Sequence, residues 1–405
     1  MPPLKVLVVD DSSLLRRLLT RLLEATGDFQ VVDTAADGDE AVRKICALRP
    51  DVVSLDLEMP VLDGLGVLRQ VMKKCPVPVV MLSSHTTKGA RATMQALSMG
   101  AVDFVAKPEK PGFLDVMVAE LALKLKTAAL VSFRRLGPSR EGTALFSPRG
   151  ALPGAPPVAG ARPATEAGRK SATGGKEEEG FEEAGSFAGR SGGVPVATAA
   201  LVAERRAPYR GAAGRVNLVV VGSSTGGPAA LQVLIPALPA DFPAAVVVVQ
   251  HLPPGFSQSL AEHLNRRSRL PVRHAAAGDP VAPGQVLVAP AGCDFAFQGG
   301  RGNAVVRLNS CEAPRTPGVF RPSVDGVMTA AAELYGSGAM GVLLTGMGKD
   351  GAKGMAAIRE RGGPTIAEDE STCVVFGMPR AAIEAGAAQK VLPLPEIAKE
   401  MVKMV

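Results

Sequence analysis

Short, continuously apolar runs alternate with helical patterns through two separate stretches of this 405-residue chain, and that alternation limits the folds open to it. In the first stretch "KVLVVD", "FQVVDTA", "DVVSLDL", "VPVVMLSS" and "AVDFVAK" read as strands. Between the first two lies "SLLRRLLTRLLEA". Leu14, Leu15, Leu18, Leu19, Leu22 and Leu23 form one stripe with Arg16, Arg17 and Arg21 off it, which is an amphipathic helix. Strands that are apolar on both faces and separated by helices build a parallel sheet covered on both sides. The pattern resumes with "VNLVVVG", "AAVVVVQ", "QVLVAP", "AVVRL", "GVLLTG" and "PTIAED". Within it, "QVLVAPAGCDFAFQGGRGNAVVRL" reads as a hairpin inserted among parallel strands.

Between the two stretches the chain is rich in Gly, Ala, Pro and charge without periodicity, as in "GAPPVAGARPATEAGRKSATGGKEEEGFEEAGSFAGRSGG". Such a segment buries too little apolar surface to offset its ordering entropy. The expected organisation is a first domain over 1–128, a long flexible linker over 129–213 and a second domain over 214–405, consistent with a length too great for one core.

The net charge of +6 comes from dispersed Arg and Lys, Trp is absent and there are two Tyr, so a nucleic-acid partner is not expected. Cys46, Cys75, Cys293, Cys311 and Cys373 are odd in number and lack a C-x-x-C pair. They read as reduced thiols of a cytoplasmic protein rather than a disulfide frame or zinc site. The start "MPPLKVLVVDD" is no signal peptide and no apolar run spans a bilayer, so no membrane insertion is expected.

Four strand ends of the first domain carry chemistry: Asp10 and Asp11, Asp56 in "SLDLEMP", Ser83 and Ser84, and Lys107 in "FVAKP". In an open parallel sheet the carboxyl ends of the strands line the ligand crevice, so these side chains converge. Three carboxylates together repel and call for a cation, and an oxygen-only site with few protein ligands suits Mg²⁺. One carboxylate could then accept a phosphoryl group, with metal and Lys107 taking up its charge. Any one acidic strand end is more simply solvated; four in this order are not.

With these motifs the domain resembles a response-regulator receiver, flavodoxin-like in fold. The resemblance implies that Asp56 is phosphorylated by a chemotaxis histidine kinase. It implies that Asp10, Asp11, Asp56 and the backbone carbonyl of Glu58 hold Mg²⁺, and that Ser83 and Lys107 sense the phosphoryl group. Phe104 matches the aromatic switch position, and the Lys107–Pro108 bond is implied to be cis.

In the second domain "VGSSTGGPAAL" admits three readings. A phosphate loop lacks its G-x-G-x-x-G spacing and its lysine, and a structural turn accounts for the glycines alone. A nucleophile elbow G-x-S-x-G fits Gly222, Ser224 and Gly226 on a strand–turn–helix. A serine needs a base. His85 belongs to the first domain, His263 lies in a polar helix where a solvated side chain is expected, and His274 sits at an edge or loop. His251 ends the strand after the serine loop and therefore shares its rim. Asp350, in "GVLLTGMGKDGAKGM", is the best carboxylate to orient it; Asp279, Asp294 and Asp325 lie in less strand-like surroundings. The order Ser–His–Asp differs from that of α/β-hydrolases.

"GSSTGGP", "QHLPPGFSQSLAEHLN" and "LLTGMGKDGAKGM" closely resemble the catalytic domain of chemotaxis-type protein-glutamate methylesterases. The implied fold class is α/β throughout: two doubly wound, largely parallel domains, a flavodoxin-like receiver and a Rossmann-like methylesterase domain. The resemblance implies that Ser224 attacks the methyl ester of a chemoreceptor glutamate, His251 moves the proton and Asp350 orients His251. The N–H groups of Thr225 and Met347 would hold the oxyanion. No cofactor is implied for the esterase chemistry, and glutamine deamidation is implied as a companion activity. Ser223 stands where many relatives have Ala, a small spacer whose replacement is expected to matter little, and the linker is longer than the family's short connection. The receiver is expected to cover the serine site until Asp56 is phosphorylated, in a monomer. The competing readings are a DNA-binding output domain and a non-catalytic scaffold.

Overall fold

The computed structural model describes residues 2–108, 113–130, 216–309 and 320–405; the expected linker lies outside the described residues except for Ala129, which ends a helix, and Leu130. The first domain runs β1 (Leu4–Val9), α1 (Ser13–Ala25), β2 (Phe29–Ala35), α2 (Gly38–Leu48), β3 (Val52–Asp56), α3 (Gly64–Lys74), β4 (Val79–Ser83), α4 (Thr87–Ser98), β5 (Asp103–Ala106) and α5 (Leu114–Ala129). The strands form one parallel sheet in the order β2-β1-β3-β4-β5. Every residue of β3 and β4 is buried, which explains why their sequences lack alternation. Ser12, Asp37, Asp63 and Thr86 each start a helix by accepting a hydrogen bond from the N–H three residues on.

The second domain runs β6 (Leu218–Ser223), α6 (Gly227–Leu234), β7 (Ala245–Gln250), α7 (Phe256–Asn265), β8 (Val272–His274), β9 (Val286–Val288), β10 (Asp294–Gln298), β11 (Val305–Asn309), α8 (Val324–Tyr335), β12 (Ala339–Leu343), α9 (Ala352–Glu360), β13 (Thr365–Glu368), α10 (Met378–Glu384), β14 (Lys390–Leu392) and α11 (Leu394–Met404). Seven strands form a parallel sheet in the order β14-β13-β12-β6-β7-β9-β8. The order reverses on either side of β6, and the serine loop follows that strand, at a switch point of the sheet. The expected inserted hairpin is smaller than the sequence implied. Val286–Val288 joins the parallel sheet as β9, and β10 with β11 forms a separate antiparallel ribbon paired from Asp294↔Asn309 to Gln298↔Val305.

The two domains pack as one unit with a shared core. Phe104 of β5 meets Phe256 of α7 with ring centroids 4.6 Å apart, and Met94 of α4 belongs to the same buried cluster as Leu231 and Leu260. Around this seam Arg91 pairs with Glu262 at 3.0 Å, and Ser98 donates to Gln232 at 2.7 Å.

Two expectations fail here. Cys46, near the end of α2, and Cys75, the C-cap of α3, form a disulfide with Cα atoms 5.5 Å apart, and Cys293 is also disulfide-bonded, while Cys373 is free. The packing of α2 beside α3 brings together thiols that are 29 residues apart, and no local spacing announces that contact. Among the described residues the cis peptide bond is Arg321–Pro322, so Lys107–Pro108 is trans; both isomers are accessible to an X-Pro bond. Among the described residues no helix is long and apolar enough to cross a membrane.

Candidate functional site

The carboxyl ends of β1, β3 and β5 bring the first cluster together. Asp10 and Asp56 are buried and Asp11 is exposed, with one oxygen of each within 4.8 Å of the others. Lys107 Nζ lies 2.7 Å from Asp56 Oδ2 and 2.9 Å from Asp10 Oδ2. Burial raises the Asp56 carboxyl to about 6 even though Lys107 pulls it down. The N–H of Glu58 donates to Asp56, and the Glu58 side chain accepts from Ser84 at 3.2 Å. Ser83 Oγ, at the end of β4, accepts from Thr93 Oγ1 of α4 at 2.7 Å. Thr93 was not legible as part of the site, because the contact joins a strand end to the middle of the next helix. Phe104 is fully buried against Phe256, so the expected switch position is occupied from the other domain.

The serine elbow sits where β6 gives way to α6. Gly226 has φ +79°, and a Cβ there would lie 2.5 Å from Val374 Cβ, so only glycine fits the bend. Gly346 is equally constrained, since a Cβ there would come within 2.9 Å of Ser224 Cβ. Ser223 pairs with Gln250 across β6 and β7, and the His251 N–H donates to the Ser223 carbonyl at 3.1 Å. Ser224 and His251 therefore leave the same edge of adjacent strands, as expected.

Gln250, which sequence reasoning passed over, lies beneath both. Its amide nitrogen donates to the carbonyl of Ser224 at 2.8 Å and to that of His251 at 3.0 Å, and its oxygen accepts from Ser223 Oγ at 2.6 Å. Ser223 is thus more than a spacer: its hydroxyl is buried and committed to the clamp.

His251 Nε2 is 2.9 Å from Asp350 Oδ2. Asp350 also accepts from Ser323 Oγ at 3.0 Å and from the N–H groups of Val324 at 2.8 Å and Asp325 at 2.9 Å, at the start of α8. Burial alone would raise this carboxyl; the donors, His251 first, outweigh it and hold the group at about 2. Asp325 reciprocates by accepting from Gly351 and Gly354 at the start of α9. Asp350 caps the helix that carries Asp325, and Asp325 caps the helix that follows Asp350, a role for Asp325 that its surroundings in sequence concealed.

His251 Nδ1 is buried without a hydrogen-bond partner, and Ser224 Oγ makes no hydrogen bond among the described residues. Nor do the N–H groups of Thr225 and Met347 donate to any described residue. The arrangement offers a carboxylate-anchored imidazole with its second nitrogen unpaired, a half-buried hydroxyl on the neighbouring strand end and two unspent backbone donors. The other histidines are engaged elsewhere. His274 Nε2 is 2.9 Å from Ser257 Oγ, and His263, expected in solvent, lies 3.0 Å from Gln232 and 3.2 Å from Ser98 of the first domain. The covering helix α4 is what removes His263 from water.

The first domain reaches the side chains of both residues that carry these donors. Thr225 Oγ1 donates to Asp103 Oδ2 of β5 at 2.6 Å, and Thr127 Oγ1 of α5 lies 3.5 Å from Met347 Sδ.

Fold and site together define a two-domain protein: a receiver of the response-regulator class packed on an α/β domain in which Ser224 and the His251–Asp350 pair share the edge of adjacent strands. The family model described as CheB methylesterase matches residues 219–401, and that of the response regulator receiver domain matches residues 6–119. The protein-glutamate methylesterase/protein-glutamine glutaminase of Moorella thermoacetica is 46% identical over all of this chain and 98% of its own length. That of Symbiobacterium thermophilum is 45% identical over all of this chain and 97% of its own. The CheB methylesterase catalytic domain of Thermotoga maritima is 45% identical, covering 47% of this chain and 99% of that structure with a TM-score of 0.45. The chain belongs to the protein-glutamate methylesterase/protein-glutamine glutaminase family.

Proposed function

We propose that this protein is a phosphorylation-activated serine hydrolase that demethylates glutamate methyl esters on chemoreceptors, releasing methanol, and deamidates receptor glutamines. The observation that carries this reading is the His251–Asp350 contact of 2.9 Å with His251 Nδ1 left unpaired beside the serine elbow. Ser224 Oγ attacks the ester carbonyl while His251 Nδ1 takes its proton. Asp350 stays ionised and steadies the imidazolium through Nε2–H. The N–H groups of Thr225 and Met347 receive the oxyanion; such a donor contributes about 3–4 kcal/mol in hydrolases where one has been removed. The tetrahedral adduct collapses as His251 passes the proton to the departing methoxide, and methanol leaves. Water, deprotonated by the same nitrogen, then frees the carboxylate and restores Ser224. An amide follows the same course with ammonia as the leaving group.

The receiver controls access. With Asp103 on the Thr225 side chain and Thr127 on that of Met347, the docked receiver rests on both residues whose N–H groups would hold the oxyanion. A histidine kinase of the chemotaxis system phosphorylates Asp56, and the docked state loses population. Asp10, Asp11 and Asp56, with the Glu58 carbonyl, would hold Mg²⁺. The fit is favourable, since three carboxylates converge and the buried Asp10 Oδ2 lacks a well-directed hydrogen bond although Lys107 is near. The metal supplies charge neutralisation during phosphoryl transfer. Ser83 and Lys107 would contact the transferred group, and Phe104 would relay the change through Phe256. The esterase chemistry uses no cofactor. The protein acts in the cytoplasm as a monomer, with no nucleic-acid partner.

Methanol release from methylated receptor, measured with and without a small-molecule phosphodonor, tests the reading. Wild type should respond to the donor, Asp56→Asn should retain only the basal rate, and Ser224→Ala should release none. Full activity of Ser224→Ala would refute it.

A further inference from the structure

We infer that Phe320 is a positioning residue for the reaction, a flat support that sets the tilt of the His251 imidazole. The ring of Phe320 lies parallel to that of His251, 5° between planes and 3.9 Å between centroids. The pairing is unusual in its burial: the His251 side chain is 3% exposed, whereas Phe320 is 47% exposed. A half-exposed phenylalanine contributes little to a core. Its ring lies flat on His251, and that side chain carries the proton in the proposed reaction.

Geometry gives the stack its role. The bond from Nε2 to Asp350 fixes one point of the imidazole. A ring held at one nitrogen can still rock about that hydrogen bond, and rocking swings Nδ1, the nitrogen that must meet Ser224 Oγ. No hydrogen bond restrains Nδ1 itself. A parallel aromatic face removes the rocking freedom without consuming the lone pair. It also supports the ring in both protonation states, by offset stacking when neutral and by its negative face when His251 is charged.

The support is mounted on the segment that holds the acid. Arg321 accepts from the Gly292 N–H at 2.9 Å, and Ser323 starts α8 while donating to Asp350 Oδ1 at 3.0 Å. The run 320–325 therefore contacts the base through Phe320 and the carboxylate through Ser323, Val324 and Asp325. Base and acid are registered by one short piece of backbone.

The inference rests on the hydrolase reading, and its test separates the two. In the phosphorylated full-length protein, Phe320→Leu keeps bulk and loses the flat face, whereas Phe320→Tyr keeps both. Phe320→Leu should lower kcat for methanol release by about 10-fold, a loss of the size that a slightly misdirected general base produces. KM should stay within about twofold, because a residue that acts only on the base changes the transition state and leaves ground-state binding alone. Labelling of Ser224 by a serine-directed phosphonate should slow by the same factor, and Phe320→Tyr should restore both rates. The His251 ring protons should show an upfield ring-current shift in wild type and in Phe320→Tyr that disappears in Phe320→Leu. Wild-type kcat and labelling rate in Phe320→Leu would overturn the inference. So would a raised KM at unchanged kcat, which would make Phe320 a substrate contact. If wild type shows the ring-current shift but neither labels at Ser224 nor releases methanol, the hydrolase reading falls, and the positioning role with it.

Discussion

Thr225 Oγ1 donates a 2.6 Å hydrogen bond to Asp103 Oδ2, joining a residue of the serine elbow to the first residue of the receiver's last strand. Both residues are buried. Behind Asp103, Lys124 Nζ lies 3.3 Å from Oδ1, and it donates at 2.6 Å to the carbonyl of Phe104. Burial would lower the Lys124 ammonium, but the charges of Asp103 and Glu120 more than compensate and raise it. The contact on Thr225 is therefore made by a charged group held in place by a charged partner. Through the Phe104 carbonyl it is linked to β5, which ends at Ala106, one residue before the Lys107 that lies beside Asp56.

Asp103→Asn keeps the shape of the contact and removes its charge. A buried hydrogen bond to a charged group contributes about 1.5–3 kcal/mol, and weakening it to a neutral one shifts the docking equilibrium by roughly tenfold. Basal methanol release without phosphodonor should rise by about that factor, with the fully phosphorylated rate unchanged. An unaltered basal rate would show that the seam does not limit access.

Asp350→Asn removes the carboxylate that holds Nε2–H of His251 and accepts from the start of α8. An amide in that place selects the wrong imidazole tautomer and points a donor at other donors. By the example of other triads, kcat should fall by about 10³–10⁴-fold. A thermal melt separates this from unfolding: the folded fraction at assay temperature should remain near that of wild type. Loss of activity in proportion to loss of fold would make Asp350 structural only.

How much was legible in the sequence follows from the range of each interaction. Both parallel sheets were readable, because strand and helix periods are written within ten or so consecutive residues. Asp10, Asp11, Asp56 and Lys107 were readable for a related reason: strand ends in a parallel sheet share one edge, so position in the strand implies proximity. Gln250 was not, since nothing in "VVVVQH" says that its amide turns back beneath Ser224. The reciprocal caps of Asp325 and Asp350 depend on α8 and α9 packing side by side, and the stack of Phe320 on His251 on the lead-in to α8 meeting the end of β7, both long-range facts. His263 was misjudged because the helix it sits on looks solvent-facing until α4 is laid across it.

The Cys46–Cys75 disulfide closes a loop of 29 residues between α2 and α3. In the chain-entropy account such a cross-link stabilises by about 3–4 kcal/mol. Cys46→Ser should therefore lower the unfolding midpoint of the protein in the absence of reductant, and dithiothreitol should lower that of wild type at least as far, since it also opens the disulfide of Cys293. Equal midpoints for wild type and Cys46→Ser without reductant would mean that the bond contributes nothing in solution.

His263 gives the seam a pH dependence. Burial, followed by the nearby charges of Arg267 and Arg266, lowers it from 6.5 to about 4. The folded state thus prefers the neutral ring, so its contribution is fully present above about 6.5 and is lost as pH falls through about 4. Between those values the urea midpoint should decline more steeply for wild type than for His263→Gln, which cannot titrate. Parallel slopes would place the pH dependence elsewhere.

Ser223→Ala tests whether the clamp beneath the elbow matters. Sequence comparison suggested an inert spacer, yet Ser223 Oγ is fully buried and donates to Gln250 Oε1 at 2.6 Å. Alanine leaves that oxygen facing a methyl group in a site too tight to readjust, where a Cβ added at Gly227 would already come within 2.0 Å of it. An unsatisfied buried acceptor costs about 1–3 kcal/mol, so the unfolding free energy should fall by that amount. Because the same amide holds the carbonyls of Ser224 and His251, kcat should drop by a few fold with KM unchanged. Wild-type stability together with wild-type kcat would return Ser223 to the role of spacer and leave Gln250 anchored by its two carbonyl contacts alone.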